Sequence, residues 1–165
     1  MRERTLAPKT TGDWRVGLAP GEVLVTETGS GLFTQIMLDD THAVTADEPK
    51  ARGGDDLGPS PYGLLLMSLG ACTAMTLRLH ADRKQWPMER VIVRLRHSKV
   101  HETDAERAEA EDAYLDRIDR SLEFVGPLDD EQRARLMEIA DKCPVHRTLT
   151  GKIDIRTRMR EDEIR

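Results

Sequence analysis

Two cysteines are the residues in this chain best suited to chemistry. Cys72 sits in Gly70–Leu77, GACTAMTL, inside a long apolar segment. A thiol reacts as the thiolate, so a working cysteine needs its pKa lowered from about 8.5 by a cation or by hydrogen bonds. At helical spacing Cys72 meets Leu65, Leu69, Met75 and Leu79, and only Thr73 and Thr76 are polar company. Burial among such neighbours keeps a thiol protonated and inert. Cys143 lies in Lys142–Arg147, KCPVHR, at the end of a helical pattern and beside His146 and Arg147. That is an exposed, partly cationic setting, which suits a redox thiol. Taken alone, the two are either a redox pair or two small side chains that fill space.

A metal is the other chemistry that cysteines offer. Cys143 and His146 have the spacing of half a zinc site, with Cys72 and His80 as the remaining candidates. A helix would hold Cys72 and His80 about 12 Å apart, too far to share one ion. No metal is therefore expected. His42, His97 and His101 lie in charged or strand contexts and read as surface residues.

The elements that must position these thiols follow from pattern. Residues 1–20 read as an extended N-terminal arm and 21–165 as one domain. Gly21–Thr28 and the run LFTQIMLDD flank the turn signal Thr28–Gly31 and predict a hairpin, with a third strand in Thr41–Pro49. The Gly/Pro-rich loop at residues 50–61 leads to Ser60, a good N-cap, and Pro61, suited to a first helical turn. A helix over Tyr62–Lys84 follows, apolar all round its first turns and so buried on most sides, and Pro87 stops it. Arg90–Val100 alternates as a half-buried strand, and Asp116–Gly126 reads as the next. Between them His101–Asp112, with six acids and one base, reads as a solvated loop or short exposed helix. Asp129–Lys142 has the acidic first turn of a helix that Pro144 closes, and Lys152–Met159 alternates as a last strand. The order βββ-α-ββ-α-β makes the class α+β.

Bulk composition excludes several functions. The 165 residues carry a net charge of −5, without the basic stripe of a nucleic-acid binder. No uninterrupted run approaches the roughly 18 apolar residues of a membrane span. The first residues, MRERTLAPKT, lack the apolar core of a secretory signal, so the cytoplasm is the default location. There a static disulfide is disfavoured, and a disulfide between the two cysteines would be a transient, catalytic one. Charged residues are 33% of the chain and aromatics 4%, a modest core that dimerisation would complete.

Three stretches carry a resemblance to a known family. They are Gly58–Pro87 (GPSPYGLLLMSLGACTAMTLRLHADRKQWP), Glu89–His101 (ERVIVRLRHSKVH) and Ile139–Met159 (IADKCPVHRTLTGKIDIRTRM). Together with the hairpin they resemble the osmotically inducible protein C (OsmC) and organic hydroperoxide resistance (Ohr) proteins over about residues 15–160. The resemblance implies an intertwined homodimer, with long central helices wrapped by sheets and a site at each subunit interface. It implies that Cys72 attacks an organic hydroperoxide and becomes a sulfenic acid, and that Cys143 resolves it as a disulfide. A dithiol reductant of the lipoyl type would reopen the disulfide, and no cofactor is implied. The family's peroxidases carry an arginine near the hairpin turn and a glutamate just before the cysteine helix. Here those places hold Gly31 and Tyr62 or Gly63, so the activating cation is sought at Arg52, Arg147 or Arg15. The alternative from the same features is a ligand-binding or redox-sensing module with little turnover.

Overall fold

The turn signal at Thr28–Gly31 reverses the chain between β1 (Leu24–Glu27) and β2 (Gln35–Leu38). The two pair antiparallel from Leu24 opposite Leu38 to Glu27 opposite Gln35. β3 (Ala43–Ala46) adds to the other edge of β2, with Gln35 opposite Ala46. The computed structural model describes residues 18–101 and 114–159. The arm to residue 17, with Arg15, and the acidic stretch 102–112 lie outside the described residues. The chain divides into two compact units between Leu65 and Leu66.

In the first unit a buried carboxylate organises the loop that precedes the long helix. Asp47 is 2% exposed. Its Oδ1 accepts from the Glu48 N–H at 2.8 Å, and its Oδ2 from the Asp55 and Leu57 N–H groups at 3.0 and 3.2 Å. Burial raises the Asp47 pKa, but the bonds from the Leu57, Glu48 and Asp55 amides outweigh it and leave it below 3.8. The loop also needs glycine, because a Cβ on Gly54 would strike the Glu48 carbonyl.

The helix α1 (Pro61–Arg83) starts where capping predicts. Ser60 Oγ accepts from the Gly63 N–H at 3.2 Å, and Pro61 occupies the first helical position. Its far end closes as a Schellman turn. Trp86 N–H donates to the Ala81 carbonyl at 2.9 Å and Gln85 N–H to Asp82 at 3.1 Å, with Gln85 at φ 54°.

In the second unit β4 (Arg90–His101) and β5 (Tyr114–Val125) form a long antiparallel ribbon, with Arg90 opposite Val125 and His101 opposite Tyr114. The alternation of β4 holds: Val91, Val93 and Leu95 are half-buried while Arg90, Arg94 and Arg96 are exposed. α2 (Asp130–Ala140) opens with a full capping box between Asp129 and Gln132. The core joins Leu77 and Ala81 of α1, Met88, Leu128, and Leu136, Ile139 and Ala140 of α2, with Trp86, Val91, Leu122 and Phe124 packed against it. Arginines close the connections around it. Arg133 donates to the carbonyls of Leu128, Phe124 and Gly126, and Arg78 to those of Met88 and Glu89.

Three expectations are revised. Pro144 does not end the helical region. It is the first residue of a further short helix, α3 (Pro144–Leu149), because a helix's first turn tolerates the missing N–H. Lys152–Met159 forms no strand. Ile153, Ile155 and Met159 are exposed, and an alternating segment becomes a strand only when a neighbour accepts its hydrogen bonds. The observed order is therefore βββ-α-ββ-α-α, still α+β. Finally, α1 is not buried on most sides of the chain. Only Leu69, Thr73, Leu77 and Ala81 are buried, an i, i+4 stripe, while Met67, Met75 and Leu79 are exposed. By length and composition α1 could cross a membrane, with a mean hydropathy of 1.3 over a window that is 28% buried. Ser68, Gly70, Thr73 and Thr76 interrupt its apolar run.

Candidate active site

Cys72 is carried mid-way along α1, one residue before the buried Thr73. Its burial is partial. With Ser68, Ala71, Met75, Thr76 and Leu79 it lines a shallow cavity of about 390 Å³, whose far wall is Pro144 and Val145 of α3. The cavity therefore opens on the exposed apolar face of α1. Thr76 donates its hydroxyl to the Cys72 carbonyl at 2.8 Å, and its oxygen also lies beside the Cys72 thiol.

Cys143 is the N-cap residue of α3 and sits at the junction with α2. Its N–H donates to the Ala140 carbonyl at 3.4 Å, and its own carbonyl accepts from the Arg147 N–H at 3.0 Å. It is 0% exposed. The exposed setting expected for it is therefore corrected: the junction turns its side chain inward. Arg147 is exposed on α3, and His146 is half-buried.

Both cysteines are free, and their sulfurs interact. Burial, then Cys143, pushes the Cys72 thiol above its ordinary pKa, against the Val145 amide and the Thr76 hydroxyl. Burial also pushes Cys143 up, but Cys72, the His146 amide, Thr73 and the Val145 amide outweigh it and hold Cys143 below its ordinary value. Two thiols this strongly linked titrate as a pair. The two directions make Cys143 the more acidic member of the pair and Cys72 the less acidic one.

Of the cations proposed from sequence, Arg52 follows Pro49 in a short 3-10 turn of the first unit and pairs with Glu48 at 3.6 Å, with most of its side chain exposed. Arg147 lies four residues after Cys143, and Arg15 is outside the described residues. The guanidinium placed between the two cysteine-bearing segments belongs to Arg120 of β5 instead. It donates to Thr73 Oγ1 at 3.0 Å, to the Ala140 carbonyl at 3.2 Å and to Asp141 Oδ1 at 2.7 Å. The sequence does carry a signal for it. Ile118, Leu122 and Phe124 share one face of β5, and Arg120 is the charged residue in that apolar phase.

The α+β fold agrees with the resemblance to the OsmC and organic hydroperoxide resistance proteins. The OsmC-like protein family model matches residues 53–158, and the chain belongs to that family. Among solved structures, an OsmC-like protein from Mycoplasma pneumoniae is 20% identical, covers 79% of this chain and 86% of its own, and superposes with a TM-score of 0.61. An organic hydroperoxide resistance protein OsmC from Legionella pneumophila is 18% identical, over 81% and 90% of the two chains, with a TM-score of 0.57. The organic hydroperoxide resistance protein OhrB of Bacillus subtilis is 18% identical, over 81% and 92%, with a TM-score of 0.54. At these identities the likeness is one of fold. No curated protein matches the chain.

Proposed function

We propose that the protein is a thiol peroxidase that reduces organic hydroperoxides in defence against oxidative stress. The observation that carries the reading is the pair itself: one thiol at an open apolar cavity and a second, enclosed thiol that interacts with it. The named activity of the Legionella and Bacillus proteins, hydroperoxide resistance, supports it as that of proteins sharing the fold.

The roles follow from access and charge. Cys72 is the attacking sulfur because it lines the cavity, whereas Cys143 is enclosed. In this scheme Cys143, the more acidic thiol, reacts as the thiolate and is the base that takes the Cys72 proton. The Cys72 thiolate attacks the distal oxygen of the hydroperoxide and the O–O bond breaks. This gives the Cys72 sulfenic acid and an alkoxide, which takes the proton from Cys143 and leaves as the alcohol. The Cys143 thiolate then attacks the sulfenic sulfur, forming the disulfide and releasing hydroxide. Two electrons have passed from the thiols to the peroxide, and an external dithiol returns them by exchange. The apolar lining favours an organic group over hydrogen peroxide. A second subunit over the exposed face of α1 would make the homodimer and seal the cavity from water.

The test mixes reduced protein with cumene hydroperoxide and a dithiol and follows peroxide loss. Turnover that depends on both cysteines is the expected result, and a rate equal to that of the Cys72→Ser variant overturns the reading. One observation favours a second reading, a binding or redox-sensing module: Cys72 is held above its ordinary pKa. That module would be oxidised once, slowly and stoichiometrically, without turnover.

A further inference from the structure

We propose that Arg120 is a positioning residue for the thiol pair: through Thr73 and the Ala140 carbonyl it locks together the two chain segments that carry Cys72 and Cys143. Its consequence for peroxide chemistry rests on the two-thiol reading above, but its geometry does not.

Arg120 points inward from β5, and its side chain is 13% exposed. One guanidinium nitrogen, Nη1, donates both to Thr73 Oγ1 at 3.0 Å and to the Ala140 carbonyl at 3.2 Å. Thr73 is the residue after Cys72 and is 0% exposed. Ala140 is the last residue of α2, and its carbonyl also accepts the Cys143 N–H at 3.4 Å. Arg120 and the Cys143 backbone thus converge on a single oxygen, while the same guanidinium grips the neighbour of Cys72. The second nitrogen, Nη2, is anchored by Asp141 at 2.7 Å, which balances the charge and fixes the plane of the fork.

Arg120 acts through Thr73 rather than on sulfur. Its N–H engages the Thr73 oxygen as acceptor, which leaves the hydroxyl hydrogen to be donated, and Thr73 is among the groups that interact with the Cys143 thiol. A lysine would carry the charge but could not span three acceptors on two segments with one planar group. An arginine on the apolar face of a strand is costly to bury unless hydrogen bonds and a counter-charge such as these compensate it.

The test uses the full chain with Arg120→Met, Arg120→Lys and Thr73→Val. Two quantities are read: the thiol–disulfide equilibrium of the Cys72–Cys143 pair against glutathione, and the ultraviolet titration of Cys143 in a Cys72→Ala background. Loss of register in Arg120→Met lowers the equilibrium constant for closing the disulfide by about tenfold or more. It also raises the Cys143 titration midpoint by about one pH unit, as Thr73→Val does on its own. Arg120→Lys restores only part of either. A folded Arg120→Met protein with both readouts at wild-type values overturns the proposal. If Arg120→Met fails to fold, Thr73→Val decides, since it nearly keeps the side-chain volume: an unchanged Cys143 titration overturns the proposal. Neither readout needs peroxide. A wild-type protein without turnover therefore sinks the peroxidase reading alone, and turnover with unshifted Arg120 variants sinks this one alone.

Discussion

The thiols of Cys72 and Cys143 move each other in opposite directions: Cys143 raises Cys72, and Cys72 lowers Cys143. Removing either partner must then release the other. In Cys143→Ala, the Cys72 titration midpoint falls towards its ordinary value, with only burial left to hold it up. In Cys72→Ala, the midpoint of Cys143 rises. Thiolate absorbance against pH reads both, and shifts of equal sign in the two variants would dissolve the pair.

The exposed apolar stripe of α1 leads to a second expectation. Met75 is 70% exposed and Leu79 53%, and both line the Cys72 cavity. A face of that kind, adjacent to a reactive thiol, is best covered by a second copy of the chain. Light scattering of the wild type should give a single dimer mass, and Met75→Glu with Leu79→Glu should give a folded monomer. A wild-type monomer at micromolar concentration would remove the dimer from the reading.

How legible these features are in the sequence depends on how local their causes are. The start of α1 is readable because Ser60 and Pro61 act on their own helix, and the hairpin because its turn residues lie between its strands. The inward face of β4 is readable from alternation alone. The burial of Cys143 is not, because Pro144 both stops one helix and starts the next, and only the inward turn of the junction decides which way the sulfur faces. The strand phase that marks Arg120 as inward does not name what it binds, and Arg133 looks like surface charge in one dimension. Their acceptors, Thr73 and Ala140 for one and Phe124 and Gly126 for the other, belong to other elements.

Asp47 makes the first unit sensitive to acid, and the sign can be worked out. Its folded pKa lies below 3.8. Above that value both folded and unfolded chains carry the carboxylate, and its contribution to stability is complete. As the pH falls below it the unfolded chain takes up the proton first, and stability is lost until the pH passes the folded value. Asp47→Asn keeps the shape but turns an N–H₂ group towards backbone donors. Its urea midpoint should be lower than wild type at pH 7, and the two curves should converge in acid. Parallel curves across the acid range would show that the carboxylate charge is not what holds the loop.

Gln85 offers a gain in stability rather than a loss. It sits at φ 54° in the Schellman turn that ends α1, a left-handed conformation that costs a side-chain-bearing residue about 1 kcal/mol or more relative to glycine. The turn's two bonds, Trp86 N–H to Ala81 and Gln85 N–H to Asp82, use only backbone atoms and survive substitution. Gln85→Gly should therefore stabilise the protein by about 1 kcal/mol, less the extra freedom that glycine gives the unfolded chain. That corresponds to a rise in Tm of about 2–4 °C for a chain of this size. Gln85→Asn, which tolerates the same conformation, should fall between the two, and a β-branched Gln85→Val should lie below wild type. Thermal unfolding of the four proteins gives the order, and a Gln85→Gly protein less stable than wild type would mean that the Gln85 side chain makes a contact worth more than the strain of its backbone.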